Sequence, residues 1–88
     1  MAAYELLVIK GPEEGQVYKL KVEEVIIGRD TTCELCFEDR TLSRQHARII
    51  INGENITIED LGSVNGVLVN GVRLKSSDLK ADDRLTLG

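Results

Sequence analysis

No stretch of this chain stays apolar for the ~20 consecutive residues that a membrane-spanning helix requires, and none is expected to meet a membrane. The start, Met1-Ala2-Ala3-Tyr4-Glu5, has no basic segment leading into an apolar one, so no secretory leader is expected and the cytoplasm is the expected compartment. Histidine occurs once, at His46, and cysteine only at Cys33 and Cys36. A four-ligand zinc site would therefore need carboxylates as well. The C-x-x-C lies in Cys33-Glu34-Leu35-Cys36-Phe37, which reads as a short strand, where residues three apart face opposite ways. Both thiols are expected to be structural, and no metal or cofactor is implied.

Basic residues are also in deficit, 11 against 15 acidic ones for a net charge of −4, which argues against wholesale nucleic-acid binding. The charge is uneven. Arg29, Arg40, Arg44 and Arg48 balance Asp30, Glu34, Glu38 and Asp39 within residues 28–48, so the rest of the chain carries the whole deficit. An anion-binding surface is therefore expected to be local and built from that window. Arginine is its only base, and the planar guanidinium fork suits phosphate better than lysine does.

What is present is a soluble, globular composition, 42% hydrophobic and 30% charged over 88 residues, enough for one domain with a modest core. Short β-rich runs alternate with turn residues. They are Tyr4–Ile9, Gln16–Val22, Val25–Ile27, Glu34–Phe37, His46–Ile51, Asn55–Asp60, Val67–Val69, Val72–Leu74 and Arg84–Leu87. Gly11-Pro12-Glu13-Glu14-Gly15 ends the first run. Asn52-Gly53 and Asn70-Gly71 predict hairpins, the second with a type I′ turn. No segment has a capped helical period, so the expected fold is all-β, an antiparallel β-sandwich of about ten to eleven short strands. Three loops carry polar residues that no hairpin requires: Gly28–Thr32, Glu38–Gln45 and Leu61–Gly66.

In these loops the sequence resembles the forkhead-associated domain family. The resemblance runs through Gly28-Arg29, Ser43-Arg44-Gln45-His46, Asp60-Leu61-Gly62-Ser63-Val64-Asn65-Gly66 and Val69-Asn70-Gly71 to Asp82-Asp83-Arg84-Leu85-Thr86-Leu87-Gly88. Each piece is weak alone, but the order and spacing are specific and cover nearly the whole chain. The resemblance implies a module that binds a phosphothreonine-containing protein or peptide, an adaptor in Ser/Thr kinase signalling rather than an enzyme.

The chemistry supports that reading independently. A phosphate dianion offers three strong acceptors and needs arginines and short donors that do not crowd it. Arg29 follows Gly28, where glycine lets the backbone turn. Ser43 brings a hydroxyl and a loop N–H expected to be free, and Arg44 adds a second charge. Family members hold phosphate with residues at these positions. The resemblance gives Asn65 the grip on the peptide main chain, which its paired donor and acceptor suit; the alternative is a plain turn at Asn65-Gly66. It makes His46 a brace between loops. A Ser43/His46 hydrolase would need an orienting acid and an oxyanion motif, neither of which is evident. Gly62, Gly66, Asn70 and Gly71 read as conformational residues. Arg40 and Thr41 suit either reading the peptide beyond the phosphothreonine or a solvated loop.

Two departures from the family pattern stand out. Val64 occupies a position where many members carry a hydroxyl, a loss worth about 0.5–1.5 kcal/mol. Its N–H is expected to remain as a donor, and its side chain to meet the threonine methyl, a contact worth about 0.8 kcal/mol. The sequence also stops at Gly88, where members continue into a strand beside the first. The expectation is a single domain over residues 1–88, truncated at its C-terminus, with an open apolar edge at Tyr4–Ile9 through which a dimer could form. The alternative function is interaction through a sheet face or that edge, without phosphate.

Overall fold

The computed structural model describes residues 4–7, 9, 14–20 and 23–88. Among them the chain forms ten strands: β1 (Tyr4–Leu7), β2 (Val17–Leu20), β3 (Glu24–Gly28), β4 (Leu35–Cys36), β5 (Ala47–Asn52), β6 (Asn55–Asp60), β7 (Val67–Val69), β8 (Val72–Arg73), β9 (Ser76–Asp78) and β10 (Leu85–Leu87). No helix among the described residues is long and apolar enough to cross a membrane. Val8, the Gly11-Pro12-Glu13 part of the first turn, and Lys21-Val22 of the second run lie outside the described residues.

A five-stranded sheet, ordered β4-β3-β5-β6-β9, faces two smaller sheets, β1-β2 and β10-β7-β8. The period-two pattern of the sequence explains the packing. Val25 and Ile27 of β3, Ala47 and Ile49 of β5, and Ile56 and Ile58 of β6 alternate with more exposed neighbours and point one way. They meet Leu20 of β2 and Val67 and Val69 of β7 in one core. Ile49 and Ile58 are partners across β5 and β6, and both are fully buried.

The register gathers the polar loops. β3 ends at Gly28 where Ile27 pairs with Ala47, the first residue of β5, and Ala47 pairs in turn with Asp60, the last residue of β6. The segments after β3, before β5 and after β6 therefore emerge at one end of the sandwich.

Three features depart from expectation. The sheet is not wholly antiparallel: β4 runs parallel to β3, with Ile27 opposite Leu35 and Gly28 opposite Cys36. The Phe37 N–H donates to Gly28 O at 2.9 Å, so the chain loops back to extend the ladder there. Second, β9 has the sequence Ser-Ser-Asp, with no β-branched or aromatic residue to announce it; it forms because β6 offers a free edge. Third, the β5–β6 hairpin turns on Gly53-Glu54, one residue later than expected, with Gly53 at φ 64°. The β7–β8 hairpin matches expectation, Asn70 and Gly71 having φ of 52° and 84°. Among the described residues β1 pairs only with β2, and its Leu7 and the opposing Val17 are 60% and 51% exposed.

Candidate functional site

Gly28 is needed for closeness rather than for a turn. Its φ is not positive, but a Cβ there would collide with the carbonyl oxygen of Arg44 and lie 2.8 Å from its carbon. This contact seats the two arginine-bearing segments side by side. The Arg29 N–H donates to Ser43 O at 3.0 Å and the Asp30 N–H to Arg44 O at 3.1 Å. Arg29 Nε donates to Leu42 O at 3.1 Å, which aims the guanidinium while leaving its terminal nitrogens uncommitted among the described residues. Arg44 is exposed, and its side chain makes no hydrogen bond or ion pair among the described residues.

His46, fully buried, joins the loops. Its Nδ1 accepts the Ser43 N–H at 3.1 Å and its Nε2–H donates to Gly66 O at 2.7 Å, an arrangement of the neutral ring. Its backbone N–H reaches Ile27 O and its carbonyl accepts from Leu61, tying β3 and the loop after β6 to the same residue. Two expected donors are thereby corrected. The Ser43 N–H is not free, being spent on His46. The Val64 N–H is spent too, donating to Ser43 Oγ at 3.1 Å. Ser43 Oγ accepts from Val64, and its own proton has no acceptor among the described residues. Both ring nitrogens of His46 are engaged away from Ser43 Oγ, so the hydrolase pairing is not formed.

The loop after β6 is stitched at three-residue intervals. Asp60 Oδ1 accepts the Ser63 N–H at 2.8 Å, and Ser63 Oγ accepts the Gly66 N–H at 2.9 Å. The spacing Asp60-x-x-Ser63-x-x-Gly66 is the turn chemistry by which the sequence signals this loop. Asn65 does more than turn: its Nδ2 donates to Thr41 O at 2.7 Å, bridging two loops, while Oδ1 has no hydrogen-bond partner among the described residues. Val64 is 82% exposed beside it. Arg73, from β8, was not foreseen here; a Cβ on Gly66 would lie 2.8 Å from its guanidinium carbon. Asn70, away from the crown, holds Asp83 and the Arg84 N–H with its amide.

Charge follows this geometry. The Asp30 carboxyl lies below the usual carboxylate range, held by Thr32 and then by Arg44 and Arg29. Thr41 lowers Asp39 through its hydroxyl and N–H. Burial pushes the Asp60 carboxyl up, but hydrogen bonds from Ser63 and the positive charge of Arg73 outweigh it and leave the group lowered. Burial raises the Cys33 thiol, which donates to Arg44 O at 3.2 Å, whereas Cys36 is exposed. Among the described residues no cluster of His, Cys, Asp and Glu fits a metal ion.

The comparisons with known proteins agree with this architecture. Residues 7–88 match the family described as the inner membrane component of T3SS, cytoplasmic domain (Yop-YscD). The chain belongs to that family, which is of the forkhead-associated type that its loops resemble. It is 37% identical over 84 residues to the oxoglutarate dehydrogenase inhibitor of Corynebacterium jeikeium, a match covering 94% of this chain and 58% of that protein. The chain thus spans little more than half the length of that curated relative. The FHA domain of the CT664 protein from Chlamydia trachomatis superposes with a TM-score of 0.90 at 36% identity, over 99% of this chain and 90% of that one. A structure from a study of phosphothreonine-dependent FHA domain interactions also gives 0.90, at 30% identity, over 99% of this chain and 88% of its own.

Proposed function

We propose that the loop crown binds a phosphothreonine-containing peptide, with Arg29, Ser43 and Arg44 on the phosphate and Asn65 on the peptide main chain. The observation that carries this is the state of Ser43. Its hydroxyl oxygen accepts the Val64 N–H and its proton has no acceptor among the described residues, while Arg29, whose N–H donates to Ser43 O, and the adjacent Arg44 keep terminal nitrogens uncommitted among them. Asn65 is held by Thr41, and its Oδ1, without a partner among the described residues, can accept a peptide N–H. The relative solved in a study of phosphothreonine-dependent interactions shares this fold over nearly the whole chain. The reading makes the protein a non-catalytic adaptor acting in the cytoplasm, where Ser/Thr kinases work and where two free thiols persist reduced.

Calorimetric titration with matched phosphothreonine and unphosphorylated peptides tests it. The phosphorylated peptide is expected to bind and the other not, and Arg29→Ala to cost about 2–5 kcal/mol. Equal affinities for the two peptides would sink the proposal.

A second reading, self-association along β1, draws on one observation: the exposed Leu7–Val17 pair at a strand that has one partner among the described residues.

A further inference from the structure

Cationic side chains at this end of the sandwich are not confined to residues 28–48. The chain leaving β8 runs back along the loop that carries Asn65. The Leu74 N–H donates to Val67 O at 3.0 Å, and Lys75 O accepts the Asp60 N–H at 2.8 Å. Leu74 packs against the core, and the flanking Arg73 and Lys75 are both exposed. The Arg73 guanidinium lies across Gly66, next to Asn65, and its charge reaches Asp60. Neither side chain has a hydrogen bond or ion pair among the described residues. In a chain of net charge −4, two exposed cations without a hydrogen bond or ion pair among the described residues thus stand beside the loop that carries Asn65.

We propose that Arg73 and Lys75 form a second electrostatic contact, which selects phosphothreonine peptides carrying an acidic side chain on the flank that passes Asn65. This rests on the phosphopeptide reading above. The phosphate sets where the peptide sits, Asn65 holds its main chain, and the next side chain along meets the basic pair. An exposed contact of this kind is worth about two- to fivefold in affinity per charge pair and weakens with salt.

The test uses fluorescence anisotropy of the 88-residue chain with a phosphothreonine peptide of otherwise neutral residues, into which glutamate is placed one position at a time along both flanks. Glutamate at one position, or at two adjacent ones, is expected to tighten binding about two- to fivefold. Arg73→Gln and Lys75→Gln should each reduce that gain and leave the neutral phosphopeptide's affinity unchanged. Three results overturn the proposal: no position responds to glutamate, the gain survives both substitutions, or Arg73→Gln weakens all phosphopeptides alike, which would reduce Arg73 to a prop on Gly66. Failure of the wild-type chain to prefer phosphorylated over unphosphorylated peptide would instead remove the reading beneath it.

Discussion

At the scale of single residues, the proposed site depends on a buried side chain set behind it. His46 satisfies one donor and one acceptor from different loops, the Ser43 N–H and Gly66 O. Truncating it strands both in a buried setting, where an unmet group costs about 1–3 kcal/mol. His46→Ala is therefore expected to lower stability by about 2–5 kcal/mol in urea denaturation, cavity included, and to weaken phosphopeptide binding in step. A stability change within a few tenths of a kcal/mol of zero would show that the bridge carries no weight. Residue types were legible here, but not their division of labour. Ser43 is legible as a polar loop residue, yet which of its atoms stays uncommitted depends on Val64 and His46, which a linear chain does not place. Gly28 was legible as a glycine the site requires, but not as a surface for the Arg44 carbonyl, because close approach leaves no local signal.

At the scale of elements, the loop after β6 holds itself open through a carboxylate. Asp60 accepts the Ser63 N–H, and its lowered carboxyl contributes stability that is complete above the ordinary Asp value of about 3.9. That contribution is lost as the pH falls through the still lower folded value. Asp30, Asp39 and Asp83 are lowered as well and act with the same sign. Thermal unfolding midpoints should therefore drop on acidification below about pH 4, and Asp60→Asn should flatten that dependence. An unchanged slope in the variant would remove Asp60 from the account. Strands with alternating β-branched residues were readable nearly to the residue; β6 and β7 fall where their sequences put them. β9 was not readable, because its partner rather than its composition makes it a strand.

At the scale of the whole molecule, the arginine-bearing loops gather at one end of the sandwich, and Leu7 and Val17 stand exposed on the β1-β2 sheet. If the chain self-associates through β1, sedimentation velocity at about 100 μM should report a dimer, and Leu7→Asp should return it to monomer with phosphopeptide affinity intact. A wild-type chain that stays monomeric ends that reading. The all-β class was legible because turn residues punctuate period-two runs throughout; the parallel β3–β4 pairing was not, since two-residue strands carry no directional signature. Finally, the buried imidazole of His46 ties binding competence to the order of assembly. Its contacts come from β3, from the segment before β5 and from the loop after β6, so they close only once long-range strand pairing has brought these together, the slow step for β topologies. A nascent or partly unfolded chain thus has its arginines but not the assembled loops, and under the proposed function ligand capture would report that folding is finished.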